Sequence, residues 1–127
     1  MLNKKTYFLL AILWTCIITV LSLITISSDI GSSIKIQGKD KYVHFTFYFV
    51  FVVLWFLFVK AKNKSINQKT KLIVLLSAIG YGILMEICQG VFTTTRTADV
   101  LDVLANSLGA IIGLIFIITI YNKKATQ

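Results

Sequence analysis

Four long apolar runs, separated by polar segments, make up most of this chain. The runs cover residues 7–26, 42–59, 72–91 and 100–121. Each run has about the 17–25 residues that an α-helix needs to cross the hydrocarbon layer of a membrane. The pattern therefore predicts an all-α integral membrane protein, a four-transmembrane-helix bundle that forms one domain over residues 1–127.

The first run also has features of a secretory signal peptide, because two lysines precede it and two serines follow it. The apolar region of a signal peptide is shorter, about 7–15 residues. We therefore expect residues 7–26 to remain as the first membrane span rather than to be cleaved.

The basic residues lie mainly between the apolar runs, and the net charge is +8. Residues 60–71 contain five lysines and no acidic residue, and short loops with this bias stay in the cytoplasm. With both termini on the same side as this loop, nine basic residues are cytoplasmic and four are outside. We therefore expect a multi-pass protein of the cell (cytoplasmic) membrane with both termini cytoplasmic. We expect no nucleic-acid binding, which needs basic residues on a folded soluble face.

This topology places the polar side chains of three spans at the outer membrane boundary. Residues three or four apart share one face of a helix, so the polar side chains of each span form one stripe. The stripes should face the bundle interior, because lipid offers no hydrogen bonds. The candidate binding residues are Asp40, Lys41, His44, Tyr48, Glu86, Gln89, Arg96, Asp99, Asp102 and Asn106.

Buried charge in this set requires neutralisation. An acidic residue at the centre of a span costs about 2.5–3.5 kcal/mol, so Glu86 must be paired or protonated. Arg96, the only arginine, is the expected charge partner for Glu86, Asp99 or Asp102, because a guanidinium binds a carboxylate through two parallel bonds. On the fourth span the polar stripe runs into Gly109 and Gly113, whose small size allows close helix approach.

Structural roles compete with a functional site for the same residues. Asp99 could cap the fourth span, with Asp102 completing a capping box, and the buried polar side chains could serve only to hold the helices together. A histidine with carboxylates can bind a divalent metal, but no fixed ligand spacing such as HExxH is present. We therefore expect neither a metal nor a cofactor. The absence of a GxSxG motif argues against a serine hydrolase.

Three separated blocks of sequence carry a resemblance to a known family. They are DKYVHFTFY at residues 40–48, EICQ at 86–89 and RTADVLDVLANSLGAIIG at 96–113. In this order, over about residues 38–115, the chain closely resembles the VanZ-like membrane proteins. The family pattern falls on Asp40, Lys41, His44, Phe45, Tyr48, Glu86, Gln89, Arg96, Asp102, Asn106 and Gly109. Asp99 falls at a more variable place.

The resemblance implies a small bacterial cell-envelope protein, and the best-known member of the family lends resistance to the lipoglycopeptide teicoplanin. It implies no known reaction. One hypothesis is a binding protein whose outward-facing polar pocket engages an envelope lipid, a lipid-linked precursor or an amphiphilic glycopeptide, in teicoplanin-type antibiotic resistance or envelope homeostasis.

A second hypothesis is a membrane enzyme that acts on an envelope lipid. Glu86 or His44 would then be the acid–base group, Asp102 a further catalytic candidate and Arg96 the phosphate binder. A third is a helper that packs on other membrane proteins through its small-residue face. The ligand and the oligomeric state stay open.

The topology predicts which loops an impermeant thiol reagent reaches in intact cells. A cysteine placed at Thr94 should be labelled from outside, whereas one placed at Asn67 should be labelled only after the membrane is permeabilised. The reverse pattern would contradict the outer location of the polar residues.

Overall fold

The computed structural model describes residues 2–24, 39–63, 65–93 and 98–125. Four helices lie within this part of the chain: α1 (Lys4–Leu23), α2 (Lys39–Lys62), α3 (Gln68–Phe92) and α4 (Val100–Ala125). Each is long and apolar enough to cross a membrane, and the described residues contain no β-strand. The predicted all-α, four-transmembrane-helix fold is confirmed, while the side on which the termini lie stays a prediction.

Asparagine side chains fix the starts of α1 and α3. Asn3 accepts a hydrogen bond from the Thr6 amide at 2.9 Å, and Asn67 accepts one from the Thr70 amide at 2.8 Å. Each cap satisfies an amide that has no partner within the first helical turn. The two helices therefore begin where a polar side chain is available to replace the missing backbone acceptor.

The second helix is the centre of the bundle. It packs against all three other helices, most extensively against α4, and α3 contacts both α1 and α4. The described parts of α1 and α4 make no contact with each other, so these two helices lie on opposite sides of the α2–α3 pair. Among the described residues of α2, the exposed large hydrophobic side chains are Tyr42 and Val43, both near its start.

The outer surface that α1, α3 and α4 form is apolar. These three helices expose large hydrophobic side chains along their length, a composition that suits contact with lipid acyl chains. Examples are Leu9 and Leu13 on α1, Leu76, Leu84 and Ile87 on α3, and Leu104, Leu108 and Ile115 on α4.

Two glycines bring α4 close to α2. A Cβ atom on Gly109 would overlap the carbonyl oxygen of Phe45, and one on Gly113 would come within 2.7 Å of the carbonyl oxygen of Phe49. The small-residue face is therefore covered by α2 of the same chain, and the helper hypothesis loses the free surface on which it relied. The close approach also sets the register of α2 and α4 at the end of the bundle where both helices begin.

Polar contacts attach α1 to the other helices. The Trp14 indole nitrogen donates to the carbonyl oxygen of Phe47 at 3.0 Å. The hydroxyl groups of Thr19 and Tyr81 share a hydrogen bond at 2.6 Å. These bonds fix α1 against α2 and α3 in a surrounding that offers few competing hydrogen-bond partners.

Replacing Gly109 by alanine should separate α2 from α4. We expect Gly109→Ala to lower the free energy of unfolding by about 1–3 kcal/mol, the usual cost of overpacking. Unfolding by SDS titration in mixed micelles, followed by circular dichroism, measures the change. Gly80→Ala is the matched control, because no atom lies within 4 Å of the added Cβ. Equal stabilities of the two variants would contradict the close packing.

Candidate functional site

Five buried polar side chains from three helices meet at one end of the bundle. His44 and Tyr48 come from the first turns of α2, Glu86 from the end of α3, and Asp102 and Asn106 from the first turns of α4. Their exposed fractions are 5%, 1%, 3%, 7% and 1%, respectively. We call these five residues the polar cluster. The helix packing places ionisable side chains where a membrane-spanning bundle normally holds apolar ones.

The amide of Asn106 links the three helices at the inner part of the cluster. Its oxygen lies 3.1 Å from Nδ1 of His44, and its nitrogen donates to Oε1 of Glu86 at 3.5 Å. The Nδ1 atom of His44 also lies 3.4 Å from the same glutamate oxygen. In this orientation the amide oxygen of Asn106 faces His44 and can accept a proton of the ring at Nδ1.

Lys41 lies at the exposed edge of the site. Its ammonium group donates to Oδ2 of Asp99 and to Oδ1 of Asp102, both at 3.2 Å. Oδ2 of Asp102 lies 3.8 Å from Nε2 of His44. The side chains of Lys41 and Asp99 are 39% and 42% exposed, whereas that of Asp102 is 11% exposed and that of Glu86 is 4% exposed. Polar groups thus lead from the surface to the buried glutamate.

Asp99 has a structural role as well. Its Oδ1 accepts a hydrogen bond from the Leu101 amide at 2.8 Å. This bond caps the start of α4. This hydrogen bond and the Lys41 ammonium lower the pKa of the Asp99 carboxyl. The ionised Asp99 carboxylate therefore stabilises the fold at pH values above the ordinary carboxyl pKa. This contribution is lost as the pH falls through the lowered pKa of Asp99. Asp102, in contrast, directs its carboxylate to Lys41 rather than to the helix end.

Two polar atoms of the cluster have no hydrogen-bond partner among the residues that the structure describes. They are the hydroxyl oxygen of Tyr48 and Oε2 of Glu86. The backbone amide of Asp99 also interacts with the Glu86 carboxyl group, but not in a geometry that gives Oε2 a hydrogen bond. Gly82 allows Tyr48 and Asn106 to pack closely against α3, since a Cβ there would lie 3.3 Å from Cε1 of Tyr48 and 3.2 Å from Cβ of Asn106. A buried polar atom without a partner costs about 1–3 kcal/mol. A network that only joined helices would be expected to pair both atoms.

Three of the predicted site residues lie outside this constellation or outside the described residues. Gln89 is buried, but its amide donates to the carbonyl oxygen of Ser22 at 3.0 Å and so attaches α3 to the end of α1. Asp40 lies in the first turn of α2 with an exposed side chain. Arg96 falls outside the described residues, so its pairing with Glu86, Asp99 or Asp102 stays a prediction.

The sequence predicted Lys41 as a candidate binding residue but did not predict its partners Asp99 and Asp102. The available signal was its spacing of three residues from His44, which places both on one face of α2. The sequence also did not predict that His44, Glu86 and Asp102 each offer a possible metal-ligand atom within 4.8 Å of the other two. No linear motif shows this, because each residue comes from a different helix.

The two ion pairs of Lys41 should differ in strength although both distances are 3.2 Å. Double-mutant cycles with Lys41→Met, Asp99→Asn and Asp102→Asn should give a larger coupling energy for Asp102, because its carboxylate is less exposed to water and salt. Unfolding free energies in the same detergent at low and high salt measure both couplings. Equal couplings, or a Lys41–Asp102 coupling that salt abolishes, would contradict the buried position of Asp102.

Comparison with known proteins identifies the family. A family model described as VanZ/LLP1 matches residues 5–121. An uncharacterized protein of the fission yeast Schizosaccharomyces pombe is 32% identical over 107 residues, which are 83% of this chain and 63% of the yeast protein. The chain thus spans less than two thirds of that relative. No solved structure matches the chain. The family model covers most of the four-helix bundle, and the chain belongs to the VanZ/LLP1 family.

Proposed function

We propose that this chain is a non-enzymatic lipid-binding protein of the cytoplasmic membrane. Its polar cluster would accept the headgroup of a membrane lipid or of a lipid-like amphiphile at the outer end of the bundle. One observation carries this proposal: the Tyr48 hydroxyl and Oε2 of Glu86 are buried and have no partner among the described residues. An occupant that offers hydrogen bonds to both atoms would remove their cost.

The position of the cluster supports a headgroup as the occupant. The bundle exposes apolar side chains along three helices, while the cluster lies at helix ends, where headgroups meet the protein. Lys41 and Asp99 are partly exposed at its edge, so a headgroup would enter past them. The distribution of lysines in the sequence favours the outer surface of the membrane for this end.

The charges of the site indicate the headgroup chemistry. Lys41 offers an ammonium group to a phosphate or carboxylate, although two aspartates already contact it. When Glu86 is ionised, Oε2 accepts hydrogen bonds, so a group that reaches it must carry an N–H or O–H donor. A headgroup with both an acidic group and an amine or hydroxyl group therefore fits best.

Among the possible amphiphiles we favour a membrane lipid. The chain is similar to a fission yeast protein, and a membrane lipid is a ligand that bacterial and fungal membranes both offer. A lipid-linked precursor or a glycopeptide of the teicoplanin type would be a narrower use of the same site. Resistance or envelope homeostasis in a bacterium would then follow from lipid or amphiphile binding.

A membrane enzyme acting on an envelope lipid is the second candidate. The arrangement of His44 favours it, because Nδ1 lies 3.4 Å from Oε1 of Glu86 and Nε2 lies 3.8 Å from Oδ2 of Asp102. Carboxylates placed on both sides of an imidazole orient it for proton transfer. His44 or Glu86 would serve as the acid–base group, and Arg96 would hold a phosphate.

Two tyrosines provide a matched test of lipid binding. Tyr48→Phe removes an unpartnered hydroxyl and should leave the free energy of unfolding unchanged or raised, yet weaken lipid binding. Tyr81→Phe removes the hydrogen bonds of this hydroxyl with Thr19 and with the carbonyl oxygen of Thr15, and should cost about 0.5–1.5 kcal/mol of stability for each bond with lipid binding intact. Native mass spectrometry of the protein released from nanodiscs measures retained lipid. Loss of stability without loss of lipid in Tyr48→Phe would point to a purely structural hydroxyl.

The chemical fate of the lipid, compared between wild type and Glu86→Gln, distinguishes binding from catalysis. The substitution keeps the shape of the side chain but introduces an amide donor in place of a carboxylate oxygen, so retained lipid should fall. Wild-type protein incubated with labelled membrane lipids should leave them chemically unchanged. A product formed by wild type and absent with Glu86→Gln would replace the binding proposal by the enzyme.

A further inference from the structure

We propose that His44, Glu86 and Asp102 form a binding site for a divalent transition-metal ion such as Zn²⁺ or Mn²⁺. The three residues come from α2, α3 and α4, all are buried, and one ligand atom from each lies within 4.8 Å of the other two. The proposal departs from the expectation drawn from the sequence, which rested on the absence of a linear ligand motif.

The distances suit a site that closes slightly around an ion. Ligand atoms at 2.0–2.1 Å from a tetrahedral zinc ion are about 3.3 Å apart. Nε2 of His44 already lies 3.8 Å from Oδ2 of Asp102, and the ligand atoms of all three residues lie within 4.8 Å of one another. The widest separation in the triad therefore needs to shorten by about 1.5 Å, which small side-chain rotations supply.

The hydrogen bonding of His44 leaves one nitrogen ready to coordinate. Nδ1 lies 3.1 Å from the amide oxygen of Asn106, and in the tautomer that donates this hydrogen bond Nε2 carries the lone pair that can ligate a metal. Nε2 lies 3.8 Å from Oδ2 of Asp102, a second ligand of the proposed site. A histidine whose other nitrogen is hydrogen-bonded in this way is typical of metal sites.

The charge of the site also calls for a cation. Two buried carboxylates lie here, those of Glu86 and Asp102, and the Lys41 ammonium group that contacts Asp102 is shared with the partly exposed Asp99. Lys41 contacts Asp99 and Oδ1 of Asp102, and no described lysine pairs with Glu86. Oε2 of Glu86 is buried without a hydrogen-bond partner among the described residues. A divalent ion would neutralise the buried carboxylates and give this oxygen a ligand role.

The donor set selects the class of ion. One imidazole nitrogen with two carboxylate oxygens suits zinc or manganese, whereas magnesium and calcium prefer oxygen ligands alone. Three protein ligands leave a coordination position open. A lipid phosphate could take that position. This last step rests on the proposed lipid binding, but metal binding itself can be measured without lipid.

Metal uptake by purified protein tests the site. Full-length protein in detergent is stripped with a chelator and dialysed against Zn²⁺, Mn²⁺ or Co²⁺, and bound metal is counted by mass spectrometry. Wild type should take up one ion per chain. Glu86→Gln and Asp102→Asn should lower the affinity about tenfold or more, and Asn106→Ala about 10–100-fold, as for other residues that hold a ligating histidine.

Asp99→Asn is the matched control. It removes a neighbouring carboxylate that shares Lys41, lies outside the triad, and keeps a good helix cap, so metal uptake should be retained. The visible spectrum of Co²⁺ bound to wild type reports a nitrogen–oxygen site even if a triad variant fails to fold. Failure of wild type to bind any of the ions, or equal losses in Glu86→Gln and Asp99→Asn, would overturn the proposal.

The lipid assay with and without chelator distinguishes the two proposals. Metal uptake without retained lipid would contradict only the lipid-binding function. Retained lipid that a chelator leaves unchanged, in protein that takes up no metal, would contradict only the metal site.

Discussion

The close approach of α2 and α4 at Gly109 and Gly113 is the constraint on which the site depends. A methyl group on Gly109 would collide with the backbone of Phe45. Phe45 directly follows His44, and Gly109 lies three residues after Asn106. The contact therefore sets the register in which Asn106 reaches His44 at 3.1 Å. Helix packing in a membrane lacks a strong hydrophobic drive, so small residues that allow such contact determine where the polar side chains meet.

Unpaired polar atoms are costly in a membrane protein, because lipid offers them no hydrogen bonds. In water, Oε2 of Glu86 and the hydroxyl of Tyr48 would find solvent partners, but both are buried at one end of an apolar bundle. Keeping them there has a cost that stability alone does not justify. The described residues leave the Tyr48 hydroxyl and Oε2 of Glu86 without a hydrogen-bond partner. A lipid headgroup would give a partner to both atoms, and a metal ion would give one to Glu86. They also fit together, since an ion held by carboxylates can accept a phosphate that the carboxylates alone would repel.

Sequence alone predicted the four membrane helices and the polar faces that meet at one end, because both follow from apolar run length and helical spacing. It also predicted the close packing at Gly109 and Gly113. It did not predict that Lys41 pairs with two aspartates, or that Gln89 turns to α1. Such pairings depend on distances between helices, which spacing within one helix does not contain. The proximity of His44, Glu86 and Asp102 was hidden for the same reason.

A crystal structure of the wild-type protein grown in a lipidic mesophase would test most directly whether the polar cluster is a binding site. We expect electron density that belongs to a lipid headgroup or an ion within about 3.5 Å of Oε2 of Glu86 and of the Tyr48 hydroxyl. A structure in which both atoms are hydrogen-bonded to side chains of the chain itself, Arg96 included, would show that the cluster only holds the bundle together.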